Sequence, residues 1–254
     1  MQFASINVVQ VLIAVIFAIM AQKKLQRFAQ IKTFPNVLEA PAKMCGQWNH
    51  FFKNENPVIL ELACGRGEYT VGLAAMYPHK NFVGVDIKGN RMYIGAKRGL
   101  DNELRNAGFL RTQIENLPDY FMQGEVEEIW ITFPDPQLRT SKAKKRLTHP
   151  RFLRQYQQVL KPGGYIHLKT DSPELYYFTR RVIELYGLQF IDGCEDIYNN
   201  DPIPELKIRT HYEGLDIAGS TKIFYLKFSL PKLIPMLDKT LQDELKKTEN
   251  ILIS

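Results

Sequence analysis

From residue 58 onward, short apolar runs alternate with segments whose apolar residues recur at helical spacing. Of all features of the chain, this alternation restricts the fold most, because it predicts an α/β domain with a mainly parallel sheet. The predicted strands cover residues 58–63, 81–87, 109–113, 126–133 and 165–170. The Lys-Pro-Gly-Gly sequence at 161–164 is predicted to end the helix before the last of them.

Two further strand-like stretches, near Phe190 and at 222–228, are joined by a long segment and suit an antiparallel pair at the sheet edge. Five parallel strands and such a hairpin make a mainly parallel seven-stranded sheet. This is the arrangement of Rossmann-like class I S-adenosylmethionine-dependent methyltransferases.

The composition excludes several classes of protein. With 254 residues, 45% of them hydrophobic, the chain is long enough for one large globular domain, or for one with a small appendage. Three widely spaced cysteines and five histidines show no zinc-binding spacing, which favours a reducing compartment and no metal. There is no GxSxG elbow and no GxxxxGK[ST] loop, which excludes serine hydrolases and P-loop NTPases.

A glycine-containing turn follows the first predicted strand. Gly65 and Gly67 would let the backbone approach a ligand at the carboxyl edge of the sheet, and Asp86 closes the next strand. A carboxylate there can accept both hydroxyls of an adenosine ribose. Together they indicate a cofactor that contains adenosine.

The charges around this turn favour one cofactor over another. A dinucleotide would use a GxGxxG sequence, but Thr70 stands where the third glycine belongs. Glu61 and Glu68 flank the turn; they suit the positive sulfonium and ammonium of S-adenosylmethionine better than a pyrophosphate. A nicotinamide or flavin dinucleotide and a purely structural turn remain the alternatives.

An acid between two prolines follows the fourth predicted strand. Pro134 and Pro136 restrict the backbone, so Asp135 is predicted to lie in a stiff, extended loop at the cofactor edge. The Asp/Asn-Pro-Pro-aromatic sequence of exocyclic-amine methyltransferases is missing, so we expect an acceptor other than an exocyclic amine.

The stretch that follows is strongly basic. Residues 136–170 hold nine Lys or Arg and no Asp or Glu, which favours a substrate rich in phosphate over a merely solvated loop.

Four short motifs resemble the bacterial tRNA (guanine-N7-)-methyltransferase family over roughly residues 20 to 230. They are Glu-Leu-Ala-Cys-Gly-Arg-Gly at 61–67, Phe-Pro-Asp-Pro at 133–136 with Lys-Lys-Arg-Leu at 144–147, His-Leu-Lys-Thr-Asp at 167–171, and Thr-His-Tyr-Glu at 210–213. The resemblance implies methyl transfer from S-adenosylmethionine to a guanine in tRNA, in the family the variable-loop guanine.

The resemblance also implies roles for individual residues. The cofactor pocket would be lined by Glu61, Gly65, Gly67, Asp86, Gln113 and Asp135, with Asp135 also the catalytic residue. Gln113 stands where the family has Asp or Asn, with Glu115 as a possible substitute, and Ala63 replaces the usual glycine. The target nucleotide would be held by Arg139, Asp171, Thr210, His211, Tyr212 and Glu213. The basic stretch itself, and not the resemblance, predicts that Lys142, Lys144, Lys145 and Arg146 contact the RNA backbone.

Guanine N7 carries a lone pair and no proton, so the reaction needs no general base. Orientation is expected to supply most of the acceleration, with Asp135 positioning the reaction centre and Asp171 and Glu213 recognising the base. Several alternatives stay open: a methyltransferase that acts on another RNA or on a small acidic molecule, a nicotinamide-dependent oxidoreductase, and a catalytically idle RNA-binding module. So does the choice between monomer and homodimer.

The chain divides into an apolar segment 1–22, a methyltransferase domain 23–230 and a tail 231–254 predicted to be a surface helix. The first 22 residues carry no charge, but their apolar core, about 14 residues long, is short of the roughly 20 that span a bilayer. Basic residues follow this run, whereas in a signal peptide they precede it. We expect a translation start at Met20, in preference to an anchor, and a cytoplasmic protein in either case.

Overall fold

A mixed sheet of eight strands forms the centre of the computed structural model, which describes residues 8–199, 201–213, 215 and 221–253. The strands lie in the order β1-β4-β3-β2-β5-β6-β8-β7. The first six along the chain pair in parallel, and β8 is antiparallel to both β6 and β7. Their bounds are Val37–Glu39 (β1), Val58–Leu62 (β2), Asn81–Asp86 (β3), Ala107–Arg111 (β4), Val126–Thr132 (β5), Leu160–Thr170 (β6), Gln189–Cys194 (β7) and Phe224–Ser229 (β8).

The predicted Rossmann-like class I fold is confirmed, with the five parallel strands β2 to β6 and the antiparallel edge pair in place. The prediction missed β1, because three half-buried residues are too few to show an alternating pattern. It also placed β4 two residues too late. At 161–164 the helix end is confirmed, but the glycines lie in a bulge of β6, where the single residue Glu127 of β5 faces the four residues 161–164 of β6.

The part of the chain that the structure describes has seven helices, most of which cover the faces of this sheet. They are Val8–Ile31 (α1), Trp48–Phe52 (α2), Glu68–Met76 (α3), Gly89–Asp101 (α4), Pro150–Val159 (α5), Pro173–Leu185 (α6) and Asp238–Ile253 (α7). Every residue of β2 and β3 is buried, as expected for parallel strands covered on both faces. The core therefore holds the strand ends in fixed positions.

The first and the last helix both contact the domain. Helix α1 is packed at its carboxyl end, where Ile31 is buried and the Arg111 guanidinium lies 5.1 Å from the Phe28 ring. Among the described residues, no helix is long and apolar enough to cross a membrane. The tail forms the predicted helix α7, but Leu241 is buried in the core and Asp238 accepts two bonds from Arg154, at 2.6 and 3.0 Å.

Candidate functional site

Five neighbouring parallel strands end at one edge of the sheet, and a predicted site residue follows each of them. In the order of the sheet these are Gln113 after β4, Asp86 in β3, the turn at 63–67 after β2, Asp135 after β5 and Asp171 after β6. The carboxyl ends of parallel strands are where α/β folds place their ligands. Strand β8 starts at this same edge, since Thr170 faces Phe224.

We call residues 63–67 the glycine turn, because it contains two glycines with left-handed backbone, one of which has no room for a side chain. A Cβ at Gly67 would lie 2.6 Å from the Phe109 ring, and both Gly65 and Gly67 have positive φ. Ala63 has φ +55° as well, without the freedom of glycine. The Gly65 amide donates to Asp86 at 2.9 Å, so the turn is fastened to the end of β3.

Asp86 is held with its carboxylate at the cofactor edge. Its second oxygen accepts from the Lys88 amide at 2.8 Å, and only backbone groups bond to it in the described structure. This geometry leaves lone pairs for further donors, since a carboxylate offers about four. The structure thus brings Asp86 and the glycine turn together as predicted.

Glu61 is a buried carboxylate at the base of the glycine turn. One of its oxygens accepts from the Thr70 amide and hydroxyl at 2.7 and 2.6 Å, and the other from the Thr132 hydroxyl at 2.9 Å. Burial raises the pKa of Glu61 to about 7, against the lowering effect of these hydrogen bonds. No described Lys, Arg or His forms an ion pair with it.

The negative charge at this turn extends beyond Glu61. Burial raises the pKa of the Cys64 thiol, and the charges of Glu61, Asp86 and Glu68 raise it further. Asp86 and Glu68, joined by Glu61 when it is ionised, would repel a pyrophosphate and attract a cation at this turn. The negative charge of these side chains therefore fits a ligand that brings positive charge to the edge of the sheet.

Residues 133–138, the Asp135 loop, leave the end of β5. Asp135 is exposed, and its Oδ1 accepts from the Gln137 amide at 3.0 Å. Phe133 and Gln137 have φ of +46° and +48°, so the loop turns at both points. The prediction of a stiff, extended loop did not include these two turns. Gln137 follows Pro136 and is not restricted by it, whereas Phe133 has a positive φ although it precedes Pro134.

Arg146 differs from the basic residues with which it was grouped. It is buried, and its guanidinium donates to the carbonyls of Pro136, Gln137 and Leu138 at 3.2–3.3 Å while lying 4.5 Å from the Phe178 ring. Burial lowers its pKa. Its predicted contact with the RNA backbone disagrees with this placement, because its donors are directed at the Asp135 loop.

The other predicted RNA-binding side chains are exposed beside that loop. A short 3-10 helix, Thr140–Lys145, presents Lys142, Lys144 and Lys145 to solvent, and Arg139 precedes it. The buried Ala143 anchors the helix. Basic side chains at this place can neutralise phosphates of a substrate whose reacting atom lies near Asp135.

The four residues Thr210, His211, Tyr212 and Glu213 form a turn, here called the signature turn, which lies against the glycine turn. The His211 amide donates to Glu68 at 3.4 Å, and the Tyr212 ring would be 3.4 Å from a Cβ at Gly65. The fold thus joins segments that are far apart in sequence at the predicted site.

Glu213 is engaged within the protein. Its two carboxylate oxygens accept from Lys169 at 2.9 Å and from the Tyr198 hydroxyl, and its amide donates to the Thr210 hydroxyl at 3.2 Å. Its predicted recognition of a base would have to use lone pairs left over from these bonds. Asp171 is half-buried between β6 and Ser172, which caps α6 by accepting from the Leu175 amide.

Gln113 and Glu115 lie after β4, where the adenine contact was predicted. Gln113 is exposed and makes no capping hydrogen bond with its side chain, whereas Glu115 pairs with Arg151 at 3.3 Å. Gln113 therefore has the side chain better placed to bind a ligand. No described group of three or more His, Cys, Asp or Glu residues could hold a metal ion.

Sequence reasoning missed Lys169, the fully buried lysine at the end of β6. A charged residue directly after the apolar part of this strand was the available signal, because a buried ammonium needs partners. Its partners lie 37 to 44 residues away, and no local pattern points to them.

The chain matches a family model described as a putative methyltransferase over residues 55–226. A protein of Bacteroides fragilis is 46% identical over 84% of this chain and 88% of its own length. One of Porphyromonas gingivalis is 47% identical over 79% of this chain and 86% of its own length. Both are named tRNA (guanine-N(7)-)-methyltransferase.

Solved structures share the fold. The 16S rRNA methyltransferase KamB is similar with a TM-score of 0.56 and 18% identity, over 73% of this chain and 94% of KamB. A 16S rRNA (adenine(1408)-N(1))-methyltransferase of Catenulisporales acidiphilia, solved with its cosubstrate SAM, has a TM-score of 0.50 and 16% identity, over 75% of this chain and 93% of its own. At these identities the likeness concerns the fold alone.

Proposed function

The chain belongs to the tRNA (guanine-N7-)-methyltransferase family, and we propose that it transfers a methyl group from S-adenosylmethionine to N7 of a guanine in tRNA. The observation that carries the proposal is the carboxyl edge of the sheet. There an anionic, glycine-containing turn lies next to an exposed acid and a row of exposed basic side chains. The proposed target is the variable-loop guanine.

S-adenosylmethionine is the proposed cofactor because the site has carboxylates where a cation must be balanced. Glu61 and Asp86 would face its charged and ribose ends, and Gly65 and Gly67 would allow the backbone close to it. Gln113 would donate an amide hydrogen bond to the adenine. When bound, the cofactor supplies an electrophilic methyl group on a positive sulfonium.

The protein side of the reaction would then consist of positioning. N7 of guanine has a lone pair and no proton, so no side chain has to remove one. Asp135, exposed at the end of β5, would fix the base relative to the methyl group, and its charge would stabilise the positive charge that arises on the ring. Asp171 and the signature turn would hold the same nucleotide from the β6 side.

Contacts with the RNA backbone are proposed for the exposed side chains Arg139, Lys142, Lys144 and Lys145. A phosphate-rich substrate accounts for these four exposed cations, whereas Arg146, Arg154 and Lys169 of the same basic stretch bond within the protein. Because tRNA is the proposed substrate and all three cysteines are free, we place the reaction in the cytoplasm. The proposed catalytic domain is 23–230.

The direct test is transfer of a labelled methyl group to tRNA that lacks the modification, followed by nucleoside analysis. We expect 7-methylguanosine in the variable loop. Binding of the cofactor without methylated tRNA would move the reaction to another RNA or to a small acidic acceptor. Failure to bind the cofactor would reject the proposal.

The Asp135→Ala variant tests the reaction centre in the same assay. We expect loss of turnover with the fold intact, because Asp135 is exposed and bonds only within its loop. Asp101→Ala is the matched control. Asp101 lies at the end of α4 that is away from the cofactor edge, and it forms an exposed ion pair with Lys97. Near-normal activity of Asp135→Ala would remove its assigned role.

A further inference from the structure

Lys169 is a buried lysine whose ammonium group has all of its hydrogen bonds made inside the protein. Its side chain is fully buried, and it donates to the carbonyls of Leu206 and Ile208 at 2.9 and 3.0 Å and to Glu213 at 2.9 Å. An ammonium has three donors, so each has one acceptor. All three acceptors belong to the segment that leads into the signature turn and completes it.

A charge at this position is costly. Burial lowers the pKa of Lys169, while the neighbouring Glu213 raises it. Apolar residues of similar volume often replace a buried ion pair without loss of stability, so packing alone does not call for a lysine. The rings of Tyr69 and Phe133 each lie 5.4 Å from the ammonium and offer their faces to it.

The backbone of the same residue holds the other half of the site. The Lys169 carbonyl accepts from the Phe133 amide at 2.8 Å, at the point where β5 passes into the Asp135 loop. One residue of β6 therefore binds the Asp135 loop through its main chain and the signature turn through its side chain. The Asp135 loop was predicted to position the reaction centre, and the signature turn was predicted to hold the target nucleotide.

We propose that Lys169 is a positioning residue that sets the signature turn at a fixed distance from the Asp135 loop, an inference that rests on the proposed function. Glu213 then acts mainly as the anchor of its turn, held between Lys169 and Tyr198. The turn it anchors presents Tyr212 to the glycine turn and the His211 amide to Glu68. Misplacement of such a segment by about 1 Å can cost roughly 100-fold in rate.

The test compares Lys169→Met with Lys227→Met. Lys227 is a matched control, because it lies on the adjacent strand β8, half-buried over the Tyr165 ring, and reaches neither segment. The first measurement is hydrogen exchange of the amides of Leu206, Ile208, His211 and Glu213, without substrate. We expect their exchange to be at least about tenfold faster in Lys169→Met and unchanged in Lys227→Met.

Methyl transfer to tRNA is measured on the same proteins. In Lys169→Met we expect kcat to fall about tenfold or more, with the KM for tRNA changed less than about threefold, because the exposed lysines of the 3-10 helix are untouched. Substitution of a residue that only stabilised the fold would leave both kcat and the KM for tRNA unchanged at temperatures far below unfolding. Unchanged exchange, or faster exchange with normal kcat, would overturn the inference.

Lys169→Met leaves Glu213 buried without its cation, and the variant could fold poorly for that reason. The double variant Lys169→Met/Glu213→Gln removes the unpaired charge while the Leu206 and Ile208 carbonyls still lack their donor. We expect it to regain stability and to keep the fast exchange; slow exchange in it would count against Lys169. If wild-type protein shows protected amides but no methylation of tRNA, the proposed function fails and the exchange result stands by itself.

Discussion

Arg146 and Lys145 are neighbours with the same charge, and the structure assigns them opposite roles. Arg146 is 5% exposed and donates to three carbonyls of the Asp135 loop, whereas Lys145 is exposed at the end of the 3-10 helix. The variants Arg146→Gln and Lys145→Gln each remove one positive charge. Any difference between them therefore reports placement and not net charge.

The loss expected for Arg146→Gln follows from its contacts. Hydrogen bonds from charged donors contribute about 1.5–3 kcal/mol each, but these are 3.2–3.3 Å long and are offset by the cost of burying the guanidinium. We therefore count roughly 1 kcal/mol for each of three carbonyls, which gives about 3 kcal/mol. For a chain of this length that corresponds to a Tm lower by roughly 6 to 12 °C.

The assays are urea unfolding for stability and tRNA binding at several salt concentrations. Arg146→Gln should lose stability and keep the salt dependence of wild-type protein. Lys145→Gln should stay within about 0.5 kcal/mol of wild-type stability. It should also bind with a slope of log K against log[salt] that is smaller by about 0.7–0.9. If Arg146→Gln flattens the salt dependence and leaves unfolding unchanged, Arg146 binds RNA and our placement of it is refuted.

Two further predictions concern the glycine turn. The pKa of Glu61, raised by burial to about 7, means that the folded protein holds a proton that the unfolded chain releases near pH 4.5. The free energy of unfolding should therefore fall by up to about 3 kcal/mol between pH 4.5 and 7 through this group, and urea unfolding of Glu61→Gln should lack that decrease. An identical pH dependence in both proteins would contradict the buried, unpaired carboxylate. Ala63 has a left-handed backbone, which costs an alanine about 1–2 kcal/mol. Glycine at this position would remove that cost, which is larger than the about 0.4–1 kcal/mol by which the greater entropy of glycine stabilises the unfolded chain. Ala63→Gly should thus stabilise the protein slightly in urea unfolding, whereas Ala96→Gly in α4 should destabilise it, and a loss of stability in Ala63→Gly would refute the strain.

The sequence alone determined most of the strands, their mainly parallel direction and the position of the cofactor edge. These follow from local patterns, because a strand, the turn after it and the acid at the next strand end lie within about 25 residues of one another. Gly65, Asp86 and Asp135 could each be placed at this edge, because each lies at or shortly after the carboxyl end of its own parallel strand. β1 escaped because three half-buried residues carry too little pattern.

Tertiary structure alone decided which charged side chains are exposed and which are buried partners. Lys145 and Arg146 are adjacent in sequence and alike in composition, yet only Arg146 points at backbone carbonyls beneath the Asp135 loop. The role of Lys169 depends on a segment 37 to 44 residues further on that folds back over β6. A buried charge is defined by the acceptors that surround it, and those acceptors are assembled only when distant segments pack.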